Sequence, residues 1–259
     1  MMSLVGPLLA AKRLVYGSRG EPYRIGPHKL RYVPGTRPVR LKYLNSADLV
    51  ARYDAHEIAL LSSTLREGDT VMDVGAHAGQ YAILTAALCG QTGTVVAFEP
   101  DPHARAVLAR NIALNPHVKP PRVEALAVSD RSGEAILFSL GGDSRSSLAR
   151  TGVDFHHTEA VDQVSITTTT LDDYGLTPNW IKIDTEGAEI AILRGAPRML
   201  ASDTNFLVEL HPYVWEDFGV TFEELQALVA ASGRRMRYLD EDHPMGEPRY
   251  GVVILEKIA

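Results

Sequence analysis

The apolar positions of this chain change period in a regular way. From Asp54 the residues Ile58, Leu61 and Leu65 recur at helical spacing up to Gly68, which predicts a capped helix. Short runs rich in β-branched and aromatic residues then predict strands at Thr70 to Val74, Thr94 to Phe98, Arg122 to Val128, Trp180 to Ile183 and Phe206 to Leu210. Helical patterns separate them at Gln80 to Leu88, Pro102 to Asn115, Glu186 to Leu200 and Thr221 to Ala231. Such alternation predicts a mostly parallel, doubly wound α/β sheet covered on both faces. Two runs, Ala135 to Leu140 and Val164 to Thr170, interrupt it after the third strand and predict an extra antiparallel pair. Met236 to Leu239 and Tyr250 to Glu256, parted by a polar turn, predict a terminal antiparallel hairpin.

The first fifty residues follow other rules. Leu4 to Ala11 is apolar, but its cations, Lys12 and Arg13, come after it, an order unlike that of a secretory signal. With Leu4, Leu8 and Val15 on one face, the run predicts a short helix packed on the domain or on a second subunit; a membrane-surface anchor is the lesser reading. Leu30 to Val33 and Val39 to Leu44, flanking Pro34-Gly35, predict a small hairpin. The expected division is an extension at 1–50 and a main domain at 51–259.

Composition narrows the partners. The 259 residues are 45% hydrophobic and 22% charged, ordinary for a soluble globular chain. A net charge of -6 with scattered basic residues disfavours nucleic acid. Cys89 is the only cysteine, so neither an intramolecular disulfide nor a thiolate zinc cluster can form, which suits a reducing, cytoplasmic setting.

The most informative segment is Asp73-Val74-Gly75-Ala76-His77-Ala78-Gly79, a strand running through a small-residue turn into a helix. Gly75 and Gly79 would let backbone approach a ligand at the helix N-terminus. A dinucleotide fingerprint needs a middle glycine that is absent here, and a carboxylate at Asp73 suits a zwitterionic amino-acid tail better than a diphosphate. Glu99 ends the second strand, where an acidic side chain can accept both ribose hydroxyls, and Pro100 offers adenine an apolar contact. The plainer reading of Glu99 is a cap for the next helix, although Asp101 and Pro102 mark that start as well. Ala127 to Ser129 belong near the adenine edge. A nucleoside cofactor follows, with nicotinamide cofactors as the residual class.

These segments resemble the FkbM-type methyltransferases, a branch of the class I S-adenosylmethionine-dependent enzymes. Further motifs carry the likeness: Phe98-Glu99-Pro100, Ser146-Ser147-Leu148, Thr170-Leu171-Asp172-Asp173, Val208-Glu209-Leu210-His211-Pro212 and, most specific, Ile181-Lys182-Ile183-Asp184-Thr185-Glu186-Gly187-Ala188-Glu189. They span about Asp54 to Pro212. The family often has Asn where this chain has His77 and an aromatic at Gln80. The resemblance implies a seven-stranded Rossmann-like sheet and S-adenosyl-L-methionine held by Asp73, Gly75, Ala76, Gly79, Glu99, Pro100, Ala127 and Asp184. It also implies transfer to a hydroxyl on a sugar, glycolipid or natural-product scaffold.

Methyl transfer is an in-line displacement, so the protein aligns the acceptor and takes its proton. Asp184 ends one strand and Glu209 and His211 end the next, at i, i+2 spacing on one face. His211 is the candidate base, with Asp184 and Glu209 as its carboxylate neighbours. Each has a plainer reading. His211 before Pro212 can simply satisfy a carbonyl, Thr185 can be a cap, and Glu186 and Glu189 suit any helix's first turn. His156 and His157 read as solvated, and the Gly141 to Ser144 loop as either an acceptor lid or an ordinary loop. Asp184, Glu209 and His211 could hold a divalent ion, but one histidine among oxygens is unselective, and no metal is expected. The rivals are a nicotinamide-dependent oxidoreductase and a non-catalytic cofactor-binding subunit. A homodimer through the apolar N-terminus stays open, and the acceptor's identity is not encoded in such a fold.

Overall fold

The computed structural model describes residues 5–36, 55–139, 146–148, 161–240 and 246–258. Helix α1 (Val5–Tyr16) leads into β1 (Glu21–Ile25) and β2 (His28–Tyr32), an antiparallel ribbon closed by Gly26-Pro27, with Gly26 at φ +51°. The hairpin therefore precedes the position expected from Pro34-Gly35. A two-residue turn at Gly26-Pro27 lets Ile25 pair directly with His28. Val39 to Leu44 and Asp54 lie outside the described residues. On α1, Leu14 and Val15 are exposed, so that face is not covered within the described chain. No described helix is long and apolar enough to cross a membrane.

The main domain runs α2 (Ala55–Thr64), β3 (Thr70–Val74), α3 (Gln80–Cys89), β4 (Thr94–Phe98), α4 (Pro102–Ala113), β5 (Arg122–Glu124), β6 (Leu126–Val128), β7 (Gly133–Ser139) and β8 (Asp162–Thr169). It continues through β9 (Trp180–Ile183), α5 (Glu189–Arg194), α6 (Pro197–Ala201), β10 (Asn205–Leu210), α7 (Phe222–Ala231), β11 (Arg234–Tyr238) and β12 (Gly251–Lys257). Seven strands form one mixed sheet in the order β11-β12-β10-β9-β3-β4-β5, with β12 antiparallel to both neighbours and β10, β9, β3, β4 and β5 paired in parallel. This is the doubly wound sheet with a C-terminal antiparallel hairpin. The expected β7·β8 pair is also present, joined by β6 in a second, three-stranded sheet.

Two elements differ from the sequence expectation. Arg122 to Val128 is split at Ala125, because β5 is an edge strand bound only to β4, and the chain turns away after three residues to let β6 pair with β8. The continuous helix expected over Glu186 to Leu200 is a turn and two short helices. Glu186 and Gly187 have φ +49° and +109°, and Pro197, without an N–H, starts a new helix after Gly195.

The pleat sorts the strand residues. Met72, Val74, Ile181, Ile183, Phe206 and Val208 pack with α5 to α7, whereas Val71, Trp180 and Leu207 pack with α2 to α4. Each fully buried large side chain contributes about 1.5–3 kcal/mol. The period of two also puts Asp73, Lys182 and Glu209 on the α3 side, where charge is buried near the strands' C-terminal ends. Asn111 and Asn115 on α4 bind β2 and its exit to this frame: Asn111 Oδ1 accepts from Val33 N at 2.6 Å and Asn115 Oδ1 from Arg31 N at 2.8 Å. The N-terminal ribbon is thus docked on the domain.

Candidate active site

Chain order reverses between β3 and β9, and ligands of open α/β sheets bind at the C-terminal edge of such a switch point. A cleft opens there. Gly75, His77, Glu99, Pro100, Ala127 and Asp184 line it, with Phe98, Leu126 and Leu148 among its apolar walls. Ser146 and Ser147 also face it, whereas Gly141 to Ser144, His156 and His157 lie outside the described residues.

The turn after β3 explains its glycines. Gly75 has φ +80°, and a Cβ there would sit 1.8 Å from the Asp184 carbonyl oxygen; at Gly79, φ +78°, it would sit 2.0 Å from Leu108 Cδ1. The close approaches are to the exit of β9 and to α4, so these glycines let protein segments converge around the cleft, where the sequence suggested room for a ligand. His77 takes φ +47°, a left-handed conformation that Asn and His tolerate better than most residues, which accounts for the family's frequent Asn. Ala76 and Gly79 do not line the cleft, and neither does Asp73. Asp73 is buried, its Oδ2 has no hydrogen-bond partner, and burial, offset in part by Lys182, lifts its pKa to about 6.

Glu99 is not the cap of α4. Asp101 fills that role, accepting from His103 N at 2.7 Å and Ala104 N at 3.3 Å. Glu99 Oε2 accepts from His77 N at 2.7 Å and Oε1 from Asp101 N at 2.8 Å, so two backbone amides aim a buried carboxylate at the cleft. Burial pushes its pKa up to about 7 despite those amides. Each oxygen keeps a lone pair for another donor.

Beyond Asp184 lies a second group. His211, at the exit of β10, is 2% exposed. Its Nδ1 is 2.6 Å from Glu189 Oε1, and Glu189 also accepts from Gly187 N at 2.9 Å and Trp215 Nε1 at 3.2 Å. Glu189, with no solvent exposure, is therefore the orienting carboxylate, a role the sequence reading gave to Asp184 and Glu209. Nε2 lies 3.9 Å from Asp184 Oδ1 and 3.8 Å from Glu186 Oε2, beyond hydrogen-bond range. Burial opposes charge on this imidazole, but the bond and charge of Glu189, with Asp184 and Glu186, outweigh it and raise the pKa to about 9.

Lys182, which the sequence reading did not single out, is buried beside this group. It donates to Asp184 Oδ2 at 3.0 Å, sits 4.4 Å from the Tyr81 ring centroid and pairs in register with Asp73. Burial works against its charge, yet Asp184, Asp73 and Glu209 hold it protonated. Asp184 stays below the ordinary carboxylate range, Lys182 and His211 prevailing over burial. Glu209 accepts from Tyr250 Oη, and burial with the charge of Asp184 raises its pKa well above normal. Asp184, Glu209 and His211 each present a ligand atom within 4.8 Å of the others, as the expected convergence of two strand tips requires.

A cleft lined by a buried carboxylate, beside a histidine with one nitrogen bonded and the other beyond hydrogen-bond range of its neighbours, holds groups suited to hydroxyl binding and proton transfer. The hexuronic acid methyltransferase AglP of Haloferax volcanii is 30% identical over 162 residues, 60% of this chain and 61% of that protein, so the chain spans less than two thirds of its length. The crystal structure of methyltransferase FkbM from Methylobacillus flagellatus KT superposes with a TM-score of 0.50 at 15% identity, covering 75% of this chain and 45% of that one, a likeness of fold. A family profile described as the methyltransferase FkbM domain matches residues 73–238, and by that match the chain belongs to the FkbM methyltransferase family.

Proposed function

We propose that this protein transfers a methyl group from S-adenosyl-L-methionine to a hydroxyl of a sugar or glycolipid, or of a natural-product scaffold. The observation that carries the reading is the adjacency of the Glu99 cleft and the His211–Glu189 pair, on either side of Asp184. The relative that acts on hexuronic acid favours a sugar among the acceptors.

The residues fit the cofactor. Glu99 offers acceptors to two ribose hydroxyls, and Pro100, Ala127 and the apolar wall offer a dry surface to adenine. Asp184 in the cleft, with the orphan oxygen of Asp73 behind the turn, supplies negative potential for a sulfonium and an α-ammonium group. When bound, the cofactor supplies an electrophilic methyl group. Glu189 keeps the proton of His211 on Nδ1, which leaves neutral Nε2 to accept the acceptor's hydroxyl proton while the oxygen becomes the nucleophile. With the cofactor bound, the methyl group would pass to that oxygen, leaving S-adenosylhomocysteine, a methyl ether and the proton on Nε2. Asp184 and Glu186 steady that imidazolium.

The test is mass spectrometry after incubation with the cofactor and a panel of glycosides and polyketide alcohols. The reading predicts a gain of one methyl group on oxygen. Binding of NAD in place of S-adenosylhomocysteine, measured by calorimetry, would sink it.

A further inference from the structure

Tyr213 is 65% exposed although its ring centroid is only 5.8 Å from that of buried His211. It stands in the 3-10 turn Pro212–Phe218 that follows β10, and its hydroxyl donates to Glu186 Oε2 at 3.0 Å. Tyr250, just before β12, completes a three-ring group: its centroid is 5.5 Å from His211 and 6.2 Å from Tyr213, and its hydroxyl donates to Glu209. Both phenols are tied by their tips to site carboxylates, which fixes the ring planes and leaves the face of Tyr213 turned to solvent. A large aromatic face held still in water beside a proton acceptor has no packing role of its own. Neither tyrosine lines the cofactor cleft, whereas Asp184 and Glu186, which border His211, do.

We infer that Tyr213 and Tyr250 form the acceptor subsite, a platform on which a pyranose ring stacks with one hydroxyl at Nε2 of His211. The inference rests on the proposed sugar acceptor and specifies where that acceptor binds. The C–H face of a pyranose carries partial positive charge that suits the negative face of a phenol ring. Its outward hydroxyls are donors, and the groups around the platform are mainly acceptors: Glu186, Asp184 and Glu209. Each of these carboxylates holds one protein donor and keeps acceptor capacity for a second, which a polyhydroxylated ring can use. Tyr213 is here a positioning and binding residue, because the proton moves on His211.

The test uses methyl hexopyranosides of the gluco, galacto and manno configurations as probes, with the 259-residue chain saturated with S-adenosylhomocysteine. Saturation-transfer NMR should show magnetisation reaching the ring C–H protons of at least one glycoside. Tyr213→Ala should weaken that binding, and raise the acceptor KM, by about tenfold with kcat retained. Tyr213→Phe should lose less than Tyr213→Ala, since it keeps the ring that makes the contact and gives up only the bond to Glu186 that fixes its plane. Cofactor-product affinity should be equal in all three proteins, which also reports that each is folded. Unchanged glycoside binding in Tyr213→Ala overturns the subsite while leaving the sugar reading intact, as does a loss confined to kcat. Failure of the wild type to bind any glycoside overturns the two together.

Discussion

Nδ1 of His211 lies 2.6 Å from Oε1 of Glu189, a carboxylate with no exposure to solvent. With its pKa raised to about 9, His211 is mostly protonated near neutrality, and only the neutral imidazole can take a proton. Turnover should therefore rise with pH, reach half its maximum near 9 and level off above it. Glu189→Gln removes the charge that raises the pKa and lowers turnover by about 10² through loss of the fixed tautomer. Its residual rate should plateau at lower pH. The stability sign follows as well. A histidine whose folded pKa is raised lends stability that is full below its ordinary 6.5 and lost as pH rises through about 9. The melting-temperature gap between wild type and Glu189→Gln should accordingly narrow on going from about pH 6 to about pH 9.5. A pH–rate profile unaltered by Glu189→Gln would contradict the pairing.

Glu99 should govern cofactor affinity in a pH-dependent way. Its pKa sits at about 7 in the folded protein, and the ionised carboxylate accepts hydroxyl protons more strongly than the neutral acid. Affinity for S-adenosylhomocysteine should fall as pH drops through 7, by up to about tenfold per unit. Glu99→Ala should cost about 2 kcal/mol, roughly thirtyfold in Kd, and abolish that dependence. Calorimetry across this range decides it; equal affinities for wild type and variant would remove Glu99 from the ribose site.

Much of this arrangement was legible in the chain. The five parallel strands, the terminal hairpin and the strand tips bearing Asp184, Glu209 and His211 follow from apolar periodicity and from a side-chain period of two. The partner of His211 was harder to read. Glu189 falls where any helix tolerates a carboxylate, and only tertiary packing buries it against His211 and Trp215. Lys182 lay hidden for a similar reason, since a lysine within a short apolar strand carries no local signal of the two carboxylates it meets across β3 and at its own strand's end. The break of the expected Glu186 to Leu200 helix was marked by Gly195 and Pro197, but the helical period runs on across them. Tyr213 and Tyr250 are almost forty residues apart and meet only because β12 lies against β10.

Lys182→Met should destabilise the fold in a way that acid relieves. The ammonium is buried and compensates Asp73 and Asp184, and removing one member of a buried ion pair costs about 3–5 kcal/mol. Without it the two carboxylates take up protons more readily in the folded state than in the unfolded chain. The folded state then binds more protons in the window between the ordinary carboxylate pKa and the raised one, so stability rises as pH falls through that window. Thermal melts should show a larger deficit for Lys182→Met at about pH 8 than at about pH 5.5. A deficit independent of pH would mean that the lysine contributes packing alone.

Asp184, Glu209 and His211 offer three ligand atoms within 4.8 Å of one another, which invites a divalent ion at the acceptor. The neighbours argue otherwise. Lys182 Nζ occupies Asp184 Oδ2 at 3.0 Å, Tyr250 Oη occupies Glu209, and Glu189 holds the other nitrogen of His211. An ion bound at Nε2 would share Asp184 with the lysine ammonium. Two unit charges at about 4 Å repel by about 4 kcal/mol at an effective dielectric of about 20, and a divalent ion doubles that. It would also displace the transferred proton from the only open nitrogen of the histidine. Activity should therefore survive exhaustive chelation, and added magnesium or manganese should not raise it, whereas His211→Ala should lower turnover by about 10² or more with cofactor affinity nearly unchanged. Activity lost to chelator and restored by either ion would reassign the three residues as metal ligands and leave proton removal to a metal-activated hydroxyl.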